Sequence, residues 1–257
     1  MILFFIFLFG LIIGSFLNAV IYRLEVGGSL VTERSRCPLC GGTLSWYELI
    51  PLLSFLFQKG RCLSCGEKIS WQYPIVELLT GFLFLLTAFL KEGSLLDMTP
   101  VDIIYIFIVM TFLVLIFIFD GKHYIIPNVA IYPLIAMSFF YNIYSLGITG
   151  LYYFLGAFIA SGFFLLLYLI SSGKWIGMGD VKYGAFMGFF LPWTNVLVAL
   201  FIAYVIGAIF GLALLYLRKK GLKSEIPFGP FLIIGTLIAY FFGTDILSWY
   251  LGGVFSF

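Results

Sequence analysis

Two aspartates and two pairs of cysteines carry most of the reactive chemistry in an otherwise oily chain of 257 residues. Asp120 closes the apolar run VMTFLVLIFIFD, and Asp180 follows the glycine turn GMG at 177–179 and opens another run. Carboxylates at a membrane edge are costly to keep there, and by default they mark function. Each also has a plain reading: Asp180 as the N-cap of a helix, and Asp120 as a side chain reaching into the headgroup region. The pair says more than either member. Two adjacent carboxylates cannot both ionise cheaply and so share a proton. The charged partner can then act as general base on a water, while the neutral one polarises a carbonyl. Gly177, Gly179, Gly184 and Gly188 would allow close helix packing and approach by the backbone of a substrate.

All four cysteines lie in one polar segment, as Cys37 with Cys40 and Cys62 with Cys65. Each pair is C-x-x-C, and CPLCGGTLSW aligns with CLSCGEKISW over ten positions, sharing both cysteines, a glycine, a serine and a tryptophan. Such a repeat predicts two zinc knuckles, tight turns whose glycine lets backbone amides approach the thiolates. Together they would close a tetrahedral four-thiolate site. Two disulfides, or free thiols, are the alternatives. Four thiolates leave no open coordination position, so the expected zinc is structural rather than catalytic.

These groups must be positioned by membrane helices. Hydrophobic residues make up 63% of the chain and charged residues 10%, with a mean hydropathy of +1.14, a balance no soluble globular surface has. Apolar runs predict an all-α polytopic membrane protein of about eight transmembrane helices, at roughly 1–22, 74–90, 101–119, 127–146, 149–171, 180–191, 194–217 and 227–250. The run at 180–191 is short for a span. The N-terminal run lacks a basic flank and a small-x-small cleavage site, which reads as a retained first helix rather than a signal peptide. With both termini outside, thirteen of the fourteen Lys and Arg face the cytoplasm and only Lys91 does not. That orientation puts Asp120, Asp180 and the cysteines on the cytoplasmic side, where a reducing milieu disfavours disulfides. The organisation expected is a first helix (1–22), a cytoplasmic four-cysteine loop domain (23–73) too small to hold together without a staple, and a helical membrane domain (74–257).

Other chemistry is sparse. The single histidine, His123, sits beside Lys122 and reads as solvated. Lys122, Lys174 and Lys182 satisfy the positive-inside pattern by themselves. No Ser-His-Asp arrangement, H-E-x-x-H, P-loop or nucleic-acid-type basic groove is visible. Two non-protease readings stay open: a transporter that relays protons or cations through membrane carboxylates, and a non-catalytic assembly scaffold docking through its cysteine module.

Six stretches taken together resemble the type IV prepilin (leader) peptidases of the G-x-G-D membrane aspartyl proteases. They are GSFLNAVIYRL (14–24), CPLCGGTLSWYELIPLLSFL (37–56), GRCLSCGEKISWQYPIVELLTG (60–81), DGKHYIIPN (120–128), GMGDVKYGAFMG (177–188) and IPFGPFLIIG (226–235). The resemblance implies cleavage of a short basic leader from prepilins or pseudopilins, after a glycine, at the cytoplasmic face of the bacterial inner membrane. It implies Asp120 and Asp180 as the catalytic pair, with Gly177, Gly179 and Lys182 supporting the motif around the second. Because the long cysteine loop accompanies bifunctional members, it also implies N-methylation of the new terminus with S-adenosylmethionine, at residues the sequence does not identify. Two positions depart from the family pattern: Asn128 stands where an acidic residue is common, and Lys122 where some members carry another.

Overall fold

The computed structural model describes residues 1–29, 33–90, 98–145, 147, 150–217 and 226–255. The described residues form α1 (Ile2–Val26), a 3-10 turn (Trp46–Leu49), the short α2 (Leu53–Phe57), α3 (Gln72–Leu90) and α4 (Pro100–His123). After these come α5 (Asn128–Ser145), α6 (Gly150–Ser171), α7 (Met178–Phe190), α8 (Trp193–Tyr216) and α9 (Gly229–Phe255). No strand is present among the described residues, only two isolated bridges, Arg36 to Thr43 and Arg61 to Lys68.

Helices occupy all eight stretches in which the hydropathy predicts them, but only six are long and apolar enough to cross a membrane: α1, α3, α4, α6, α8 and α9. The chain is a multi-pass membrane protein. The two that fall short do so for different reasons. At 13 residues, α7 covers about 20 Å, well under a bilayer core of about 30 Å. In α5 the 18 residues include Asn128, Pro133 and Asn142. The buried Asn142 donates to the Phe189 carbonyl at the end of α7, 2.7 Å away. Polar residues here hold helix to helix rather than facing lipid. Lys91 and the basic run 218–223, on which the orientation expectation draws, lie outside the described residues.

The chain divides into two compact units, Met1–Leu115 and Ile116–Phe257. In the first, α1 packs along α3. Gly10 and Gly14, spaced as small-xxx-small, let the backbones meet; a Cβ at Gly14 would stand 2.7 Å from the Glu77 Cα. In the second, α7 lies against α6, and α8 against α9. A Cβ at Gly188 would collide with the backbone of Ala157. Buried polar bonds fix the register: the Tyr183 hydroxyl donates to Thr236 Oγ1 at 3.0 Å, and Asn195 Nδ2 to the Ala239 carbonyl at 3.3 Å.

Candidate active site and metal centre

Asp120 and Asp180 lie in the same unit, each within a turn of a helix end. Asp120 occupies the last turn of α4 and is only 4% exposed, so the reading of a side chain in the headgroup region does not describe it. A carboxylate at a helix C-terminus opposes the macrodipole, and burial adds to the cost. The support comes from elsewhere in the chain, since the backbone N–H of Gly229, at the start of α9, donates to the Asp120 carboxyl. Its Oδ2 has no hydrogen-bond partner.

Asp180 is not the N-cap of α7, as its plain reading expected. Gly177 holds that position, with extended backbone, and Asp180 is the third residue of the helix. Its carboxyl accepts the Gly177 N–H, the same reach-back that an acidic residue makes in a capping box. The position is favourable for an anion, so its charge alone needs no special account. Its neighbour does: Asp180 lies within range of the Asp120 charge. The Tyr204 phenol of α8 is in electrostatic range of Asp180 as well.

The glycines divide by role. A Cβ at Gly179 would meet Ile126 Cβ at 3.2 Å, whereas one at Gly177 would find nothing nearer than 3.9 Å. Gly179 therefore spends its bareness on packing, and Gly177 keeps an exposed, open flank. Gly184 belongs to the α6 seam, where a Cβ would stand 2.8 Å from the Phe164 ring. Lys182 does more than satisfy loop charge: its Nζ donates to Asn128 Oδ1 at 2.8 Å and sits 4.9 Å from the centre of the Tyr132 ring. The amide at 128 accepts the ammonium as a carboxylate would. His123 is exposed and rests on the Phe119 ring, centroids 4.6 Å apart.

Gly229 lies in the stretch IPFGPFLIIG (226–235), where the sequence shows no role for it. A Cβ there would stand 2.9 Å from the Asp120 Cγ, so only glycine brings that N–H to the carboxyl. The signal was present in sequence as a glycine between two bulky apolar pairs, but nothing local ties it to residue 120.

The four cysteines gather in the first unit. Their sulfurs all lie within 4.8 Å of one another, and none is in a disulfide. The two halves fold alike: the Cys37 N–H donates to the Gly42 carbonyl and the Cys62 N–H to that of Glu67, both at 2.9 Å. The Gly41 and Gly66 N–H groups return to the Cys37 and Cys62 carbonyls, also at 2.9 Å. Gly41 and Gly66 take φ of 70° and 74°, a left-handed turn that glycine enters without strain. A zinc ion bonded to four sulfurs at about 2.3 Å needs them about 3.8 Å apart, and the Cys37 and Cys65 sulfurs stand at 4.0 Å. The set fits a tetrahedral metal.

Electrostatics agree with that fit. The N–H groups of Cys65 and then Ser64 lower the Cys62 thiol to about 7. At Cys65 the Glu67 N–H pulls the same way, but burial and the sulfurs of Cys62, Cys40 and Cys37 outweigh it and push the thiol up to about 12. Four sulfurs in one place cannot all be anions without a cation among them.

Residues 8–90 match the family model described as the Bacterial Peptidase A24 N-terminal domain, and residues 107–212 match that of the Type IV leader peptidase family. A prepilin leader peptidase/N-methyltransferase of Bacillus subtilis is 35% identical over 251 residues, 96% of each chain. The chain belongs to the type IV leader peptidase family. Proteins of the same name from Aeromonas salmonicida (31% identical, 97% of this chain and 94% of the relative) and Pseudomonas aeruginosa (29%, 95% and 91%) match it over nearly the full length. No solved structure matches. Membership of this family does not favour the transporter and scaffold readings.

Proposed function

We propose that the chain is an aspartyl endopeptidase that removes the leader from type IV prepilins or pseudopilins and then methylates the exposed amine. The observation that carries the peptidase reading is a buried Asp120, one oxygen unpartnered, in electrostatic contact with Asp180. A carboxylate pair holding one proton between them does both halves of peptide hydrolysis. The ionised member takes a proton from water, which attacks the scissile carbonyl. The protonated member hydrogen-bonds the carbonyl oxygen, and a proton then passes to the leaving nitrogen as the C–N bond breaks. The Gly229 and Gly177 N–H groups hold the two carboxyls in place, and the open flank of Gly177 leaves room for an extended peptide. Asp120 and Asp180 are the catalytic residues in this reading; Gly177, Gly179 and Lys182 maintain the turn and first helical turn that present Asp180.

The site lies at helix ends, which suits a substrate whose leader is soluble and whose following segment is apolar. We place it, with the cysteine module, at the cytoplasmic face of the bacterial inner membrane. The donor set of Cys37, Cys40, Cys62 and Cys65 suits zinc, held for structure because no coordination position is open. Methyl transfer draws on S-adenosylmethionine, which supplies an activated methyl group when bound.

The test is co-expression with a prepilin and mass spectrometry of the product. Asp120→Asn and Asp180→Asn should each lower cleavage by about 10²–10⁴-fold. Full processing by either variant would remove the pair from the mechanism.

A further inference from the structure

Between the two cysteine pairs the chain reads WYELIPLLSFLF (46–57), apolar at nine of its twelve positions. In the fold this stretch does not stand away from the membrane with the polar turns on either side of it. It descends beside α1 and α3. The Leu52 N–H donates to Glu77 Oε2 at 2.8 Å, and the Ser15 hydroxyl donates to the Leu49 carbonyl at 3.3 Å.

Those two bonds fix its depth. At 19 residues, α3 is about 28 Å long, and nearly all of it is needed to cross a hydrocarbon core of about 30 Å. Glu77 follows Gln72, the first residue of α3, by five positions, which is about 8 Å along the axis. Ser15 precedes Arg23, the basic residue in the last turn of α1, by eight positions, or about 12 Å. Residues 49–52 therefore sit at the level of acyl chains rather than of headgroups.

Backbone at that depth must have its polar groups satisfied within the protein, and here they are. The Ser54 and Leu56 N–H groups donate to the Ile50 and Leu52 carbonyls, both at 3.0 Å, and Glu48 Oε2 accepts the Ser45 N–H at 2.8 Å. The buried charges of α1 and α3 serve the same end. Glu77 is spent on Leu52, while Arg23 donates to the Glu33 carbonyl and ties the segment to the end of α1.

The outer side of the stretch has no protein cover. Trp46, Leu53, Leu56 and Phe57 are 77%, 51%, 68% and 83% exposed, a large apolar patch for any surface that meets water. It continues the bare flank of α1, where Phe9, Ile12 and Phe16 are exposed too. A groove of about 460 Å³ joins the two, walled by Ile12 and Phe16 on one side and by Trp46, Leu49 and Ile50 on the other. Exposed Lys59 and Arg61 follow directly in sequence, as basic residues do where apolar chain leaves the bilayer for anionic headgroups.

We propose that residues 46–57 form a re-entrant membrane element whose outer side, with the groove against α1, is covered by phospholipid acyl chains. The segment between α1 and α3 is then not a free loop domain. Its middle is sunk in one leaflet, and the two cysteine turns are held against the headgroups of that leaflet from both sides.

The experiment uses the full chain in nanodiscs of phosphatidylethanolamine and phosphatidylglycerol with brominated acyl chains. A small fluorescent amino acid is introduced at position 56 or 57, at Phe9 on α1, or at Ser64 in the second cysteine turn, and zinc content checks that each chain has folded. Bromine should quench the probe at 56 or 57 about as strongly as at 9, and about threefold or more above the level at 64. A photoreactive benzoylphenylalanine in place of Leu53 should gain the mass of one phospholipid on irradiation. Quenching at 56 and 57 no greater than at 64 overturns the proposal. So does a crosslink from position 53 to a second copy of the chain or to co-expressed prepilin in preference to lipid.

Discussion

The four-sulfur centre and the carboxylate pair are built in opposite ways. The sulfur centre is assembled from two copies of one short turn, residues 37–42 and 62–67, each closed by the same backbone hydrogen bonds and the same left-handed glycine. The carboxylate pair is assembled from three helix ends: the last turn of α4, the first of α7, and the Gly229 N–H at the start of α9. One site is local and repetitive, and its geometry is carried by sequence spacing. The other has no local geometry, and depends on helices more than a hundred residues apart reaching the same point. A lesion in the first should therefore stay within its module, while a lesion in the second should reach catalysis from any of the three ends.

That contrast can be broken experimentally. The largest effect falls on the pair itself: the double variant Asp120→Asn with Asp180→Asn should lose no more cleavage than either single one, since the two act as a unit. Zinc content should stay at about one per chain in all three. Clearly additive losses would mean that the carboxylates work separately.

Gly229→Ala comes next, because it changes no reactive group. Its Cβ collides with the Asp120 carboxyl, and displacement of a catalytic group by about 1 Å costs about 10²-fold. Steady-state assays should show that fall in kcat with little change in KM, and wild-type turnover would separate α9 from the site.

The sulfur centre gives the next prediction. Cys37→Ser should take metal content well below one per chain while some leader cleavage persists. Uptake should also depend on pH. Zinc binds thiolates, so protons compete and affinity falls as pH falls. With Cys62 at about 7 and Cys65 up at about 12 in the metal-free module, zinc entering at neutral pH must displace thiol protons. Competition with a coloured chelator should show affinity dropping by about tenfold or more per pH unit between 8 and 6. A flat profile would argue against thiolate ligation.

The smallest effect is expected at Lys182. Its bond to Asn128 is solvent-exposed, and exposed charged pairs are worth about 1 kcal/mol or less. Lys182→Met should cost about two- to fivefold in kcat/KM, with Asn128→Asp near neutral because an acceptor is retained. A loss matching that of the Asp180 variant would give Lys182 a direct part in the chemistry.

The sequence by itself determined the class of the molecule and the two repeated turns of the sulfur centre, while the structure brought the four sulfurs together without a disulfide. Helix formation in lipid is forced by the lack of water for backbone groups, so apolar runs located all the long helices, and C-x-x-C turns repeat their own hydrogen bonding. It also named both aspartates, though not their surroundings. Tertiary structure decided that Asp180 is reached by the Gly177 N–H rather than capping its helix, that Gly179 packs on Ile126, and that Asn128 holds Lys182. It alone joined Gly229 to Asp120 and Leu52 to Glu77. These are contacts between segments distant in the chain, and no periodicity or spacing encodes them. They follow from which helix faces pack closely enough to bring backbone and side chain together.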